Sequence, residues 1–521
     1  MYLHSFLDYW ARERPDCEFA VQGDHRLTYG EALVAVNKLA NAFISSGLKQ
    51  GDRIALLARN RIEYPLLYYA ASKSGVVPVP LNYRLAPSEW TYLVNDATAR
   101  MLIVSGHYVG AVDALRGELK TVERFVSLDA TGAPGWDDYQ GWVSAQPSIA
   151  PAILVDEDAE LYQMYTSGTT GHPKGAILTH RAVTANIGQI SLAVRGQPGE
   201  RYLVVVPMFH AGAVLTVFTP VSWGSSLYIY EEFSPAEVVR ALSEERIACT
   251  ALVPAMIQAC LMRVPDIASR RYEHLRIIYY GASPIAEETL RRAMEVFRCG
   301  FVQSYGQTEA AHAVTLLLPS DHQLALGKHP ELLLSAGRPA VGTEVRIVDE
   351  NDNPVPNGTV GEIVVWGPQI MRGYWNLPKE SAETLRNGWL HTGDLGTLDE
   401  EGYLFIQDRV KDMIVSGGEN VYPSIVENVL YQHPAIAETA VIGVPDERWG
   451  ETVKAIVVLR QGATATEEEI IEFCRRKLGG FERPRSVDCV DSLPRNPTGK
   501  VLKRVLREPY WVGRSRRVSG V

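Results

Sequence analysis

Short apolar runs alternate with longer segments of helical periodicity along the chain as far as Leu390. The runs are rich in Val, Ile, Leu, Ala and Tyr, and they lie at 54–58, 201–206, 226–230, 249–253 and 276–280. Between them, 235–246 and 284–297 have apolar residues three or four positions apart, which predicts helices. Ser283 followed by Pro284 predicts an N-cap and a first helical position. Alternating strands and helices are typical of parallel sheets covered by helices, so the predicted fold class is α/β.

The pattern changes after Leu390. The stretch 402–407 predicts a short strand, and the charged stretch 408–412 is typical of a linker. Beyond it the sequence predicts, in order, a helix at 424–431, strands at 438–443 and 454–459, and a helix at 466–478. We therefore predict a large N-terminal body of parallel-type sheets layered with helices at 1–410, and a small mobile C-terminal α+β domain at 411–521.

The composition is that of an ordinary globular protein, with 46% hydrophobic and 21% charged residues in a chain of 521. The net charge of −10 argues against a nucleic-acid partner for the whole molecule. The six cysteines have no C-x-x-C spacing, which indicates neither a disulfide framework nor a zinc site and favours a reducing compartment. No stretch approaches the ~18 uninterrupted apolar residues of a membrane span. We predict a cytoplasmic protein without an integral membrane segment.

The stretch 165–175, YTSGTTGHPKG, is rich in glycine and hydroxyl side chains and contains Lys174. Glycine lets backbone N–H groups approach an anion closely, and the hydroxyls and the lysine add donors, so the stretch predicts a phosphate-binding loop. It is not a Walker loop, because Pro173 stands where that motif needs Gly before the lysine. By composition alone the segment is more typical of an ordinary loop, and only the order of its residues changes the interpretation.

Further motifs accompany this loop in chain order: LTYGE at 27–31, SYGQTEA at 304–310, HTGD at 391–394, DRVKD at 408–412, SGGENVYP at 416–423 and RNPTGK at 495–500. Together they resemble the adenylate-forming superfamily of acyl-CoA synthetases, aryl-CoA ligases, peptide-synthetase adenylation domains and luciferases. The pattern is most similar to that of bacterial fatty acid–CoA and aryl-CoA ligases. The resemblance implies an ATP-dependent ligase that forms an acyl-adenylate, releases pyrophosphate, and then makes a thioester with coenzyme A.

The resemblance implies which residues hold ATP and Mg²⁺. The residues around the β- and γ-phosphates would be Thr166, Ser167, Gly168, Thr169, Thr170, Gly171 and Lys174. Thr308 would contact the α-phosphate, and Glu309 with Thr166 would bind Mg²⁺, a cation that prefers oxygen ligands. Taken alone, Glu309 is more typical of a carboxylate at a helix start, and only the motif around it favours the metal.

The resemblance also implies an adenosine site. The nucleotide would lie against two segments that contain Gly281, Ala282, Ser283, Ser304 and Gly306. Tyr305 would stack on the adenine, and Asp394 would accept hydrogen bonds from the ribose hydroxyls, assisted by Arg409. Taken singly, each of these three is typical of an ordinary core, turn or surface position.

Both half-reactions depend on the C-terminal motifs. By resemblance, Lys500 would neutralise the carboxylate and α-phosphate oxygens as they approach each other, since like charges repel. Lys411 stands where the family has the hinge about which the small domain rotates between half-reactions. In the second state Gly417 and Gly418 would border the pantetheine tunnel of coenzyme A. The segment 475–521 has thirteen Lys/Arg against four Asp/Glu, a net of +9 that suits the phosphates of coenzyme A or an ordinary solvated surface.

The stretch 207–212, PMFHAG, matches the family segment that enters the acyl pocket. The residues expected around the acid are His210, Ala211, Gly212, Tyr279, Tyr280, Gly281, Ala311 and His312. His210 would contact the carboxylate or gate the channel, although a lone His is equally typical of a core position. The stretch has no Asp or Glu to pair with an ammonium group, which argues against an amino-acid substrate. Gly212 predicts a long or wide pocket, and Ser304 narrows one wall.

We predict a medium- or long-chain fatty acid or an arylalkanoic acid as the substrate. The alternatives are a hydroxycinnamate- or benzoate-type aryl-CoA ligase and an enzyme that delivers its acyl group to a carrier protein. An oxygenase of the luciferase kind and a non-catalytic nucleotide sensor are further alternatives, and the presence of Lys500 and Glu309 argues against the sensor. The sequence allows a monomer or a homodimer, and the basic tail allows peripheral contact with a membrane.

Overall fold

The predicted apolar runs form strands in the computed structural model, which describes residues 1–166, 173–409, 412–416, 419–495 and 501–512. The strands are β1 (Glu18–Gln22), β2 (His25–Thr28), β3 (Arg53–Leu57), β4 (Val77–Pro80), β5 (Met101–Val104), β6 (Arg124–Ser127), β7 (Asp137–Asp138), β8 (Glu160–Thr166), β9 (Lys174–Thr179), β10 (Arg201–Val204), β11 (Ser226–Ile229), β12 (Ile247–Ala251), β13 (Ile277–Gly281), β14 (Gly300–Tyr305), β15 (Thr315–Leu317), β16 (Arg338–Pro339), β17 (Glu344–Val348), β18 (Gly361–Trp366), β19 (Gly373–Tyr374), β20 (Leu390–Leu398), β21 (Leu404–Arg409), β22 (Ile414–Ser416), β23 (Glu419–Val421), β24 (Ile436–Asp446), β25 (Gly450–Leu459) and β26 (Ser486–Cys489).

The helices occupy the segments between these strands. They are α1 (His4–Glu13), α2 (Tyr29–Ser45), α3 (Glu63–Ser74), α4 (Pro87–Asp96), α5 (Gly106–Leu115), α6 (Tyr139–Ser144), α7 (His180–Ala193), α8 (Thr219–Ser222), α9 (Pro235–Glu244), α10 (Pro254–Arg263), α11 (Glu287–Phe297), α12 (Pro319–Ala325), α13 (Pro378–Thr384), α14 (Pro423–Leu430), α15 (Glu467–Arg475) and α16 (Lys503–Arg507). A π-helix, Val214–Phe218, precedes α8, and short 3₁₀ turns include Thr308–Ala310.

The helix predicted to start at Pro284 begins later than expected. The N-cap of α11 is Ala286, so the prediction of Ser283 as the N-cap is wrong. The chain bends at Ala282 and Ser283 after β13, and Ala286 is still extended, with a φ of −66° and a ψ of 135°. The helix therefore starts at Glu287, once the chain has left the sheet edge.

A large central sheet has the order β16-β15-β14-β13-β12-β10-β11-β1-β2 within the described residues. Neighbouring strands from β1 to β14 in this order run parallel, and β2, β15 and β16 are antiparallel at the edges. One face packs against α7 and the π-helix, and the other packs against α9, α10 and α11. Helices thus cover both faces of a mostly parallel sheet, which confirms the predicted α/β body.

Three smaller sheets complete the body. A parallel sheet has the order β4-β3-β5-β6-β7, and its strand β3 is buried along its whole length. The hairpin of β8 and β9 takes up β19 as a third, antiparallel strand, and β17-β18-β20-β21 form a further antiparallel sheet. The hairpin sheet contacts the turn after β14 through the Thr166–Glu309 bond, and the antiparallel sheet contacts the end of β14 through the Tyr305–Asp394 bond.

The segment after Ile414 has a core of its own. Strands in the order β23-β22-β25-β24, with β26 beside β25, pack against α14 and α15, which is the predicted α+β arrangement. The linker expected at 408–412 begins inside a strand, because Asp408 and Arg409 are the last residues of β21. Lys411 lies outside the described residues, so the division into 1–410 and 411–521 stays a prediction. In the described parts of the chain, no helix is both long and apolar enough to cross a bilayer.

The first residue of α7, His180, lies in the core and does not reach water. Its Nδ1 accepts a hydrogen bond from the Leu3 N–H at 3.4 Å, and its Nε2 has no partner among the described residues. Burial, and then the nearby charge of His4, lower the pKa of His180 to about 3. The folded protein therefore keeps this imidazole neutral, whereas the unfolded chain takes up a proton below about pH 6.5.

We predict that thermal stability decreases as the pH falls from 7 to 5, and that His180→Gln reduces this decrease. The stabilisation by the neutral His180 imidazole is complete above the pKa of this group in the unfolded chain. It is lost as the pH falls towards the pKa of His180 in the folded protein, by about 1.4 kcal/mol per pH unit for one group. The measurement is the unfolding temperature of both proteins at several pH values. His25→Gln, at an exposed position, is the control. Parallel pH profiles for wild type and His180→Gln would contradict the assignment.

Candidate active site

The loop predicted to bind phosphate joins two strands of the same hairpin. Thr166, the last residue of β8, pairs with Lys174, the first residue of β9, so both ends of the loop are fixed opposite each other. Thr179 then caps α7, its hydroxyl accepting a hydrogen bond from the Ala182 N–H. The loop residues themselves lie outside the described ranges, and their roles stay predictions: Ser167, Gly168, Thr169, Thr170 and Gly171.

The Glu309 carboxylate is the meeting point of three segments. Its Oε1 accepts a hydrogen bond from the Tyr374 hydroxyl at 2.8 Å and another from the Thr166 hydroxyl at 3.3 Å. The Lys174 ammonium lies 5.1 Å from the centre of the Tyr374 ring. Thr166, Lys174 and Glu309, predicted separately from two motifs, are therefore neighbours in space. Among the described residues no cluster of three His, Cys, Asp or Glu side chains could hold a metal by itself.

The turn that presents Glu309 is held from both sides. Ala311 has a φ of +60°, which lets the chain reverse direction after the 3₁₀ turn. The Asn186 side chain donates to the Ala313 carbonyl at 2.8 Å and accepts from its N–H at 3.0 Å. The Met371 N–H donates to the Glu309 carbonyl at 2.8 Å. Because unpaired buried peptide groups cost about 1–3 kcal/mol each, these bonds make the turn a defined structure.

Two glycines let the ends of β13 and β14 approach each other closely. A Cβ on Gly281 would lie 2.2 Å from the Ser304 carbonyl oxygen, and a Cβ on Gly306 would lie 1.8 Å from that of His312. Neither position accepts a side chain. Gly281 pairs with Ser304 at the ends of these strands, so the two segments predicted to lie against the nucleotide are adjacent.

The Tyr305 hydroxyl donates to Asp394 Oδ2 at 2.9 Å, and Arg409 Nε lies 3.1 Å from the other carboxylate oxygen. Asp394 and Arg409 are directly paired across β20 and β21. Glu362 fixes the turn before Asp394, because it binds His391 Nδ1 at 2.8 Å and the Gly393 N–H at 3.0 Å. Burial and then the Asp394 charge raise the pKa of Tyr305 well above its usual value. The three residues predicted for adenosine therefore form one hydrogen-bonded group.

The segment expected to enter the acyl pocket lies over the central sheet, between β10 and the π-helix. Burial, and then the Arg84 charge, lower the pKa of His210 to about 3, so its imidazole is neutral near pH 7. Its Nε2 is buried and has no partner in the described part of the chain. A Cβ on Gly212 would meet nothing within 4 Å, which shows open space at this position.

The two adjacent tyrosines of β13 point to opposite faces of the sheet. Tyr280 packs with the α9–α11 side and its hydroxyl is 2.8 Å from His322 Nε2. Tyr279 packs in the same cluster as Phe209 and Ala311, on the side of the acyl segment. Both tyrosines were predicted to line the acyl pocket. Tyr279 lies on the same face of the sheet as the acyl segment, and Tyr280 lies on the opposite face.

The other expected acyl residues lie near the end of β14. Ala311 is fully buried and Ala211 is partly buried in the same hydrophobic cluster. His312 Nε2 lies 3.4 Å from the Ser304 hydroxyl, and burial lowers the pKa of His312 to about 4. The pocket side of the site is therefore apolar, with neutral imidazoles at its border.

Three polar residues near the site were not found from the sequence. Gln303 Oε1 and Gln307 Nε2 are buried atoms without a partner among the described residues. Both could have been noticed as amides at the end of a buried strand and inside the SYGQTEA motif. Tyr374 has no such signal, because its contact with Glu309 spans 65 residues of sequence.

The C-terminal catalytic residues lie outside the described ranges. These residues are Lys411, Gly417, Gly418 and Lys500, and their roles stay predictions. The described residues around the hinge position are in contact with each other. Asp408 accepts a hydrogen bond from the Ser424 N–H at 3.1 Å, and Lys503 lies 2.8 Å from Glu427 and 3.9 Å from Asp408.

Comparison with known proteins gives extensive matches. The model of the family described as "AMP-binding enzyme" matches residues 7–375, and that of its C-terminal domain matches residues 425–500. A feruloyl-CoA synthase of Amycolatopsis sp is 38% identical over 501 residues, which cover 96% of this chain and 97% of that protein. The long-chain-fatty-acid–CoA ligase FadD13 of Mycobacterium tuberculosis is 35% identical over 494 residues, 94% of either chain.

A solved structure of the anthranilate CoA ligase AuaEII in complex with anthranoyl-AMP superposes with a TM-score of 0.89 at 25% identity, over 98% of this chain and 97% of that one. The body matches one family model and the C-terminal segment matches its companion, in the order that the motifs predicted. The chain therefore belongs to the AMP-binding, adenylate-forming family of enzymes.

Proposed function

We propose that the protein is an ATP-dependent acid–CoA ligase that activates an acid with an elongated apolar stem, either a fatty or an arylalkanoic acid. It forms an acyl-adenylate with release of pyrophosphate and then a thioester with coenzyme A. The observation on which this rests most is the Glu309 carboxylate, held by Thr166 and Tyr374 beside Lys174, next to the platform of Gly281. The substrates and cofactors are ATP, Mg²⁺ and coenzyme A.

The residues present fit a magnesium–triphosphate. Glu309 offers one carboxylate, and Thr166 offers a hydroxyl oxygen 3.3 Å away. Mg²⁺ is commonly bound by one or two carboxylates together with phosphate oxygens, so a site with a single acidic ligand suits it. When bound, Mg²⁺ neutralises charge on the phosphate oxygens. Lys174 adds a positive charge at the exit of the loop, and Thr308, beside Glu309, would contact the α-phosphate, by resemblance to the family motif.

The adenosine half of the nucleotide fits the Tyr305 and Asp394 group. Asp394 retains lone pairs for ribose hydroxyls, because each of its oxygens accepts only one bond from the described residues. Gln303 adds a buried, unpartnered amide oxygen on the strand that leads to Tyr305. That oxygen is an acceptor for an exocyclic amine such as that of adenine. A buried acceptor without a donor destabilises the protein. A hydrogen bond from a bound nucleotide to this oxygen would remove that cost.

His210 acts as a neutral group in this proposal. Its low pKa keeps it uncharged near pH 7, so it does not provide a positive charge for the acid carboxylate. Its buried, unpartnered Nε2 is available for one hydrogen bond to the acid or to the adenylate. The positive charge then comes from Lys500, by resemblance to the family motif.

In this proposal the acid lies on the face of the central sheet that carries Tyr279 and packs with Phe209. Open space at Gly212 supports an acid longer or wider than acetate. The similar proteins act, by their names, on an aryl acid and on long-chain fatty acids, and both classes fit an apolar pocket.

A second candidate within this activity is an acid with a hydrogen-bonding group at its far end. Tyr202 and Tyr279 are almost fully buried, and their rings lie nearly parallel with centres 6.4 Å apart. Both hydroxyls lack a partner among the described residues. Their strands flank β12, which the π-helix covers together with β10. A phenol or alcohol on the acid would satisfy these groups, which favours a hydroxyaryl or hydroxy acid over a plain fatty acid.

We place the enzyme in the cytoplasm, as a monomer or a homodimer. All six cysteines are unpaired thiols, which supports a reducing compartment. The acceptor is free coenzyme A, and the basic C-terminal segment supports binding of its phosphates. A carrier-protein acceptor is distinguished by assaying acyl transfer to coenzyme A against transfer to a holo-carrier protein.

The proposed function is tested by pyrophosphate–ATP exchange over a panel of fatty, aryl and hydroxyaryl acids with Mg²⁺. We expect exchange that depends on the acid, and thioester only when coenzyme A is added. Glu309→Gln should reduce the exchange by about 10–100-fold at fixed Mg²⁺, the usual range for damage at a metal site. The complete absence of exchange with every acid would refute the proposal.

We predict that Lys500→Ala abolishes adenylate formation and leaves thioester formation from supplied acyl-AMP largely intact. The lysine is needed when two anions approach each other, and that approach occurs only in the first half-reaction. Both half-reactions are measured separately, with Lys328→Ala, at an exposed position, as the control. An equal loss of both half-reactions would argue against this role.

We predict that Tyr279→Phe and Tyr202→Phe reduce the preference for hydroxylated acids. The measurement is kcat/KM for 4-hydroxycinnamate against cinnamate, and for 3-(4-hydroxyphenyl)propanoate against 3-phenylpropanoate. The wild type should prefer each hydroxylated acid over its analogue without the hydroxyl by about tenfold or more in kcat/KM. The reason is that the analogue leaves the buried tyrosine hydroxyls without a hydrogen-bond partner. Tyr280→Phe, on the opposite face, is the control. Equal use of both acids by the wild type would exclude this candidate.

A further inference from the structure

We propose that Tyr374 is a positioning residue for the magnesium-binding carboxylate of Glu309. The inference rests on the proposed function, because it concerns the same nucleotide site. It assigns a role to a residue outside every motif from which the site was predicted. The bond from the Tyr374 hydroxyl to Glu309 Oε1, at 2.8 Å, is shorter than the bond from Thr166 to the same oxygen, at 3.3 Å.

The segment of Tyr374 holds Glu309 at two points. The Met371 N–H donates to the Glu309 carbonyl, and the Tyr374 hydroxyl donates to its carboxylate. The same short segment is the third strand of the loop hairpin. Tyr374 pairs with Ala176 of β9, and the Trp375 N–H donates to the Gly175 carbonyl at 2.8 Å. A displacement of β9 is therefore transmitted to Glu309, and a displacement of Glu309 is transmitted to β9.

The hydroxyl is not needed for this strand pairing, which uses only backbone groups. It is also not needed for the contact of Lys174 with the ring, which depends on the aromatic face. Within the described part of the chain, the bond that requires this hydroxyl as a donor is the one to Glu309, and the Thr384 side chain is a second hydrogen-bond partner of the hydroxyl. A phenol keeps its proton throughout the neutral range, so this hydroxyl remains available as a donor.

Glu309 has several rotamers open to it, and a carboxylate must keep one of them to meet a cation at the triphosphate. Partners that orient a ligating carboxylate commonly change metal affinity by 10–100-fold when they are removed. A role in strand packing alone predicts lower stability without a specific effect on the metal. The two roles can therefore be separated by experiment.

The chain offers a closely matched control in Tyr403. Its hydroxyl donates to Asp321 Oδ1 at 2.9 Å, and the Arg338 guanidinium lies 4.7 Å from its ring centre. Tyr403 thus has a carboxylate partner and a cation over its ring, as Tyr374 does, but at a site that contains none of the predicted nucleotide residues. Tyr403→Phe removes the same kind of bond elsewhere in the molecule.

The test compares wild type, Tyr374→Phe and Tyr403→Phe in the binding of Mn²⁺, a paramagnetic substitute for Mg²⁺. Free Mn²⁺ is followed by electron paramagnetic resonance in the presence of α,β-methylene-ATP, and nucleotide binding without metal is followed by calorimetry in EDTA. We expect Tyr374→Phe to weaken Mn²⁺ binding by about tenfold. Its metal-free nucleotide binding should stay close to that of the wild type, and Tyr403→Phe should match the wild type in both. Replacement of Tyr374 by 4-aminophenylalanine, which restores a donor at the same place, should recover Mn²⁺ affinity.

Unchanged Mn²⁺ affinity in Tyr374→Phe would overturn the proposal. An equal loss of nucleotide binding with and without metal would also overturn it, and so would failure of Tyr374→Phe to fold while Tyr403→Phe folds. Failure of the proposed function is a different result: normal Mn²⁺–nucleotide binding and a normal Tyr374 effect, but no pyrophosphate exchange with any acid.

Discussion

The hydrogen bonds of one buried carboxylate determine how the phosphate side of this site is assembled. Glu309 receives bonds from Thr166 before the glycine-rich loop and from Tyr374 on the strand beside it. Its own turn is fixed by Asn186, which satisfies both peptide groups of Ala313. Because a charged group away from water needs such partners, these segments are held in one arrangement. The loop, the turn and the third hairpin strand thus form a single unit.

The rest of the site follows from the edge of the central sheet. The ends of β13 and β14 approach more closely than side chains would allow, because Gly281 and Gly306 have none. Parallel strands end at the same edge, where clefts for ligands commonly form in α/β proteins. The proposed nucleotide platform is therefore a consequence of strand direction together with two glycines. Tyr305, at the end of β14, and Asp394, from a neighbouring sheet, complete it.

Charge is distributed unevenly across the site. Four charged residues lie on the side proposed for the nucleotide, namely Lys174, Glu309, Asp394 and Arg409. Burial keeps His210 and His312 neutral on the side proposed for the acid. An apolar pocket next to a polar phosphate site suits a molecule with a carboxylate at one end and an apolar stem at the other. The contacts of Asp408 with Ser424 and Lys503 join the body to the C-terminal segment beside the predicted hinge, so rotation there would require them to change.

The sequence by itself determined the α/β class, the order of the motifs, the family and several of the strands. These features depend on local periodicity and on combinations of residues that are uncommon elsewhere, such as the glycines and hydroxyl side chains at 165–175. Only the tertiary structure decided that Tyr279 and not Tyr280 faces the acid side, because adjacent strand residues differ only in which layer of helices covers them. It also decided that α11 starts at Glu287, because the chain is still extended at Ala286 after it leaves the sheet edge. The Tyr374–Glu309 bond joins residues far apart in the chain, and no local pattern specifies such a contact since packing of the whole body creates it.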